Sequence, residues 1–201
     1  HGVEHLPAKG GFIVASNHVS WADPPLLGAA SSRRLGYLAK VELFQPPVLR
    51  QLIAALGAVP IRRQSLDRRA LDTTKKVLTA GLGLVLFPEG TRSRSGQLGP
   101  GKPGVSMLAA EAGVPVVPAY IHGTRDLARA FLRRPPLVIR FGAPLAPPPP
   151  GHGPESRDVM RAHTERVMAA IAGLSPDRMR IAGRLQAAKF MVKEVIRYHA
   201  V

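Results

Sequence analysis

The strongest constraint in this sequence is an alternation of short apolar runs with stretches whose apolar residues recur every three or four positions. A brief apolar run bounded by turn residues reads as a strand buried on both faces, whereas the three-to-four period reads as a helix with one buried side. Alternating strands and helices build βαβ units, so the class is α/β: a mixed, largely parallel sheet flanked by helices. Strands are predicted at Phe12–Ser16, Leu35–Ala39, Leu82–Phe87, Val116–Ile121 and Leu137–Phe141, and helices at Pro24–Ala30, Pro46–Leu56, Leu66–Ala80 and Val105–Ala112. In the helix predicted from Leu66, the residues Leu66, Ala70, Thr73, Val77 and Ala80 share one face while Arg68, Arg69, Lys75 and Lys76 look outward. Gly81 follows as a usual helix stop. This organises the chain as a core over residues 1–145, a proline-rich connector over 146–154 and a C-terminal helical extension over 155–201. The extension holds one helix near Ser156–Ala172 and a basic helical tail, Arg178–Tyr198, expected to pack on the core or on a membrane surface.

A length of 201 residues suits one such domain, and 45% hydrophobic against 20% charged residues excludes a disordered chain. No uncharged apolar run reaches 18 residues, which excludes a transmembrane helix in the sequence as it stands. Lysine and arginine total 28 against 13 acidic residues, a net charge of +15, which favours anionic partners. Nucleic acid, anionic lipid, a phosphorylated substrate and an acidic carrier protein all qualify on charge. The absence of cysteine removes disulfides, thiolate catalysis and cysteine-ligated metal. Because the chain opens His1-Gly2-Val3 without Met or signal peptide, it is read as a fragment lacking a natural N-terminus that could carry a membrane anchor.

Two segments that follow predicted strands could carry chemistry, since open α/β sheets place functional loops there. The first runs Asn17-His18-Val19-Ser20-Trp21-Ala22-Asp23. On one regular helix His18 and Asp23 would lie about 140° apart, so they meet only if the chain turns between them. Pro24 suits the first helical position, which makes Asp23 a good N-cap. In one reading Asp23 only caps and His18 is a hydrogen-bonded loop residue; in the other the carboxylate fixes the imidazole tautomer and the second ring nitrogen acts as general base on a hydroxyl. Capping and orienting are compatible.

The second segment, Phe87-Pro88-Glu89-Gly90-Thr91-Arg92-Ser93-Arg94-Ser95-Gly96, combines glycines, hydroxyls and arginines, which is the material of either a phosphate cradle or an exposed polar turn. Gly96 to Lys102 spells most of a P-loop. Pro103 stands where the magnesium-binding hydroxyl would be, and the loop does not directly follow a strand, so nucleotide hydrolysis is rejected. Ala58-Val59-Pro60-Ile61-Arg62-Arg63 ends in paired arginines that alone read as surface charge, and Gly113 to Tyr120 reads as a buried strand flanked by prolines, with His122 beyond it a structural histidine. No His-Glu-x-x-His occurs, and Gly104-Val105-Ser106-Met107-Leu108 misses the second glycine of a nucleophile elbow.

Taken in this order, over roughly Gly2 to Leu145, the segments resemble the glycerolipid acyltransferase family that includes bacterial 1-acylglycerol-3-phosphate acyltransferase. His18 to Asp23 matches the family's His-x4-Asp block, Val59 to Arg63 its second block, Phe87 to Arg92 its Phe-Pro-Glu-Gly-Thr-Arg block, and Val114 to Pro118 its fourth. Pro60-Ile61-Arg62 departs from it, since many members place a large apolar residue and an Asp before the final arginine. Members also often carry a membrane-inserting segment before the matching region, and none stands here. The resemblance implies transfer of a fatty acyl group from acyl-CoA or acyl carrier protein to the sn-2 hydroxyl of 1-acylglycerol-3-phosphate, giving phosphatidic acid. It makes His18 the base and Asp23 its orienter, with Arg63, Glu89, Gly90, Thr91, Arg92 and Lys102 holding the acceptor phosphate.

No metal, cofactor or covalent intermediate is required by that chemistry. The expected location is the cytoplasmic face of the membrane, either peripheral or anchored through a segment outside this sequence, with an anionic membrane surface as partner. Another lysolipid acceptor, such as a lysophospholipid or lyso-ornithine lipid, is the alternative within the class. A basic nucleic-acid-binding protein is the alternative outside it, supported by charge alone: no helix-turn-helix, RNP or zinc-finger pattern appears.

Overall fold

A computed structural model describes residues 1–55, 57–61, 68–126, 136–151 and 153–176. Strand β1 (Phe12–Ser16) leads to α1 (Asp23–Ala30) and β2 (Leu35–Lys40); α2 (Pro47–Ala55), β3 (Ala58–Ile61) and α3 (Arg68–Thr79) follow. The chain continues through β4 (Gly83–Leu86), α4 (Gly104–Ala112), β5 (Val116–His122), β6 (Val138–Phe141) and α5 (Pro154–Gly173). These elements form a six-stranded sheet in the order β3-β2-β4-β1-β5-β6. The first five strands are parallel and β6 runs antiparallel to β5. The expected class therefore holds.

Sheet position explains the strand compositions. All five residues of the central strand β1 are buried, as a parallel strand covered on both faces requires. Phe12 and Val14 pack with Leu27 of α1, Tyr37 and Val85 on one face, while Ile13 and Ala15 pack with Leu78, Leu108 of α4 and Ile171 of α5 on the other. Each such aliphatic side chain stabilises the fold by about 1.5–3 kcal/mol through burial. Arg33 ties the loops at one end of the sheet. Its guanidinium donates to the carbonyls of Pro7 and Gly81 at 2.8 and 2.6 Å and lies 5.2 Å from the Phe12 ring centre.

Two local differences from the sequence reading have physical causes. Ala58–Ile61, read only as an arginine-bearing segment, is strand β3; at the sheet edge a proline N without hydrogen is tolerated, so Pro60 does not end it. Strand β4 is shorter at both ends than the apolar run Leu82–Phe87: Leu82 is exposed, and Phe87 leaves the ladder for the loop beyond. Helix α5, in the region expected to pack on the core or on a membrane surface, lies on α4, β1 and β5 with Met160, Val167 and Ile171 buried. Arg62, Arg63 and the tail Arg178–Val201 lie outside the described residues. Among the described residues no helix is long and apolar enough to cross a membrane.

The strand order locates the functional loops. From β1 the chain crosses to β2 on one side, and from the adjacent β4 it crosses to β5 on the other. Where neighbouring strands send their connections apart, a crevice opens beyond their carboxyl ends. The loops at this point are those carrying His18 and the segment from Phe87 to Arg92.

Candidate active site

The crevice is built by hydrogen bonds that join its two loops. Immediately after β1 the buried Asn17 side chain continues the pairing with β5, donating from Nδ2 to the Ile121 carbonyl at 3.0 Å and accepting the Ile121 N–H at 2.8 Å. The chain then folds back so that Asp23, fully buried, faces the residues just before it. Its Oδ2 accepts from the backbone N–H groups of Val19 and Ser20, both at 2.7 Å, and from His18 Nδ1 at 2.8 Å. Its Oδ1 accepts from the Thr124 hydroxyl at 2.6 Å.

The expected cap is thereby corrected. Asp23 is the first residue of α1, Ala22 before it already has helical backbone angles, and the bonds that Asp23 accepts come from His18, Val19, Ser20 and Thr124 and not from the N–H groups of α1. The carboxylate oxygens are occupied by the preceding loop and by Thr124, so the residue orients and does not cap. Proline still stands in the first turn, as predicted.

A carboxylate only accepts, so the proton in the His18–Asp23 bond sits on Nδ1 and Nε2 of the neutral ring keeps its lone pair. The imidazole stacks on Phe87, with ring centres 3.9 Å apart and planes 15° from parallel. His18 is 9% exposed, so the ring is fixed on two sides yet borders the surface. A fixed tautomer with an accessible Nε2 is suited to taking a proton from a hydroxyl.

The second loop locks onto the first through backbone. Glu89 is buried; its Oε1 accepts the His18 N–H at 3.2 Å and its Oε2 accepts the Gly99 N–H at 2.9 Å. The Ser93 N–H donates to the His18 carbonyl at 2.8 Å, so His18 is held through both its backbone groups. Gly90 takes a left-handed φ of +71°, and a Cβ there would lie 3.1–3.3 Å from the Lys102 side chain, which covers it. Lys102 is itself anchored by its N–H to the Pro88 carbonyl at 2.8 Å. Thr91 and Arg92 are exposed, and the Arg92 guanidinium stands 4.1 Å over the ring of Trp21, 67% exposed.

The structure thus brings together His18, Asp23, Glu89, Gly90, Thr91, Arg92 and Lys102, with Arg63 outside the described residues. The sequence places Asn17 at the head of the first segment without a role and gives no signal for Thr124, because each is a polar residue more than 100 positions from its partner. The fourth block supplies buried β5 residues, Val116 to Pro118. A separate buried cluster joins α4 to α5: Ser106 Oγ lies 2.8 Å from His163 Nδ1 and 2.7 Å from Thr164 Oγ1, with His163 Nε2 3.1 Å from the Ala146 carbonyl. Burial pushes the His163 imidazole below the usual histidine range, although the bond to the Ala146 carbonyl opposes this. Ser106 has no exposed surface, so the pair stitches helices together and has no access to a substrate.

The acyltransferase family model matches residues 1–122, which contain both loops. The chain belongs to the acyltransferase family. It is similar to the 1-acyl-sn-glycerol-3-phosphate acyltransferase of Bacillus subtilis, at 30% identity over 172 residues, covering 85% of this chain and 84% of that protein. A chloroplastic 1-acyl-sn-glycerol-3-phosphate acyltransferase of Brassica napus is 37% identical over 128 residues, 61% of this chain and 36% of that protein, so the match takes in about a third of the plant relative. A lyso-ornithine lipid O-acyltransferase of Pseudomonas aeruginosa is 37% identical over 116 residues, 57% of this chain and 44% of that protein. The crystal structure of the 1-acyl-sn-glycerophosphate acyltransferase of Thermotoga maritima superposes with a TM-score of 0.66 at 30% identity, covering 86% of this chain and 68% of that one. Family membership agrees with the resemblance drawn from the sequence blocks.

Proposed function

We propose that this acyltransferase moves a fatty acyl group from a thioester, on coenzyme A or acyl carrier protein, to the free sn-2 hydroxyl of 1-acylglycerol-3-phosphate. The observation that carries the reading is the 2.8 Å bond from His18 Nδ1 to a fully buried Asp23, in a loop braced through Glu89 and Ser93 against the segment that carries the exposed Arg92. As the acceptor oxygen attacks the thioester carbonyl, His18 Nε2 takes its proton. The tetrahedral intermediate then collapses, the C–S bond breaks, and the departing thiolate receives the proton from the imidazolium. A general base of this kind contributes about 10²–10⁴-fold, and no acyl-enzyme is formed.

Arg92, Lys102 and Arg63, with the Gly90–Thr91 turn, would bind the acceptor phosphate and so orient a hydroxyl several bonds away. Glu89 has a different part in this proposal. A carboxylate facing phosphate would repel it, while both Glu89 oxygens already accept backbone N–H groups, so Glu89 holds the crevice walls in register. The net charge of +15 suits an anionic acceptor, either donor and a peripheral position on anionic lipid.

The similarity to a lyso-ornithine lipid acyltransferase gives a specific second reading, in which the acceptor is another lysolipid. A panel of lysolipids, run with one acyl-CoA and with the corresponding acyl carrier protein thioester and following thiol release, tests both. Thiol release dependent on lysophosphatidate is expected; release only with another lysolipid establishes the second reading, and release with no lysolipid from either donor refutes both.

A further inference from the structure

We propose that Thr124 is a positioning residue for the base: its hydroxyl fixes the second oxygen of Asp23, so that the first is held on His18 Nδ1 and Nε2 stays unprotonated. The inference rests on the reading of His18 as general base and names a residue outside the sequence blocks that suggested it. The geometry is specific. Thr124 and Asp23 are 101 positions apart, both are buried, and the oxygen atoms are 2.6 Å apart, a short bond of the kind a hydroxyl makes to a charged acceptor. Oδ2 already receives three donors, from His18, Val19 and Ser20, and among the described residues Thr124 is the donor found at Oδ1.

Thr124 is placed from both sides. Before it, Gly123 has φ +89°, and a Cβ there would come within 2.7 Å of the Pro136 carbonyl oxygen, so the turn is available to glycine alone. Further back, the Asn17 amide pins Ile121 to the end of β1. After it, the Arg125 guanidinium donates to the carbonyls of Arg94 and Ser95 at 2.6 and 3.0 Å. Consecutive side chains therefore grip Asp23 and the loop that follows the Gly90–Arg92 turn. Without the hydroxyl, one oxygen of a buried carboxylate has no donor. The carboxyl then rotates to share the donors of Oδ2 or takes up a proton, and either change weakens its hold on Nδ1–H.

The test compares Thr124→Val, which keeps the shape but has no donor, with Thr124→Ser, which keeps the donor. ¹⁵N chemical shifts of the His18 ring report which nitrogen carries the proton, and kinetics give kcat with the KM of each substrate. The proton is expected on Nδ1 in the unmodified protein and in Thr124→Ser. In Thr124→Val that preference is expected to be lost, with kcat falling about tenfold and acceptor KM unchanged, the effect of one charge-assisted hydrogen bond that orients without touching substrate. An unchanged ring signature in Thr124→Val overturns the proposal whatever the rate, as does a signature lost equally in Thr124→Ser. If Thr124→Val does not fold, Thr124→Cys, with a much weaker donor of similar size, carries the same comparison. Absence of acyl transfer in the unmodified protein would remove the functional reading, and the ring signature would still decide the role of Thr124.

Discussion

Glu89→Gln separates a brace from a substrate contact, and its effect follows from the two bonds the carboxylate accepts. His18 N–H lies 3.2 Å from one oxygen and Gly99 N–H 2.9 Å from the other, in a residue 8% exposed. Glutamine has the same shape but turns an amide NH₂ toward one of these two donors, whichever way it is oriented. One charge-assisted bond is therefore replaced by two opposed N–H groups, and the other becomes a neutral bond. A bond to a charged group is worth about 1.5–3 kcal/mol and a neutral one about 1, so a loss of about 2–3 kcal/mol is expected. For a domain of this size that corresponds to about 4–12 °C in Tm. Urea unfolding at constant m-value, together with thermal unfolding, measures it. Because His18 loses a backbone anchor, kcat should also fall. Acceptor KM should not rise, since the charge removed is negative. If Glu89→Gln unfolds within about 0.5 kcal/mol of the unmodified protein and only acceptor KM changes, the bracing argument is wrong and Glu89 faces the substrate.

Three further outcomes are expected. His18→Ala should lower kcat by at least about 10²-fold with the fold retained, and Asp23→Asn should also lower kcat while costing more stability, because an amide would oppose one of the donors now facing the carboxylate; steady-state kinetics with circular dichroism check both. Arg92→Ala should raise acceptor KM more than donor KM, and an unchanged acceptor KM at saturating donor would return this exposed arginine to surface charge. His163 is held below the usual histidine range by burial, so the unfolded chain binds its proton more readily than the folded one. Stability should then fall as pH drops below about 6.5, and His163→Gln should remove that component; an equal pH slope in both proteins would refute it.

The class and five of the strands were legible in the residues, because strands buried on two faces must be short and apolar, as Phe12–Ser16 and Val116–Ile121 are, and such segments declare themselves locally. The blocks around His18 and Phe87 were equally legible, since each lies within a few residues of a strand end. Edge strand β3 was not, because Pro60 breaks the pattern while its position at the sheet edge removes the penalty. How the blocks are held appears only in the folded chain: Asp23 bonded to His18 and not capping α1, Glu89 bridging the backbone of two loops, Asn17 on Ile121, Thr124 on Asp23. These are bonds from short polar side chains to groups that are distant in sequence. Nothing in the residue type names the partner, which exists only once the sheet places the ends of β1, β4 and β5 side by side.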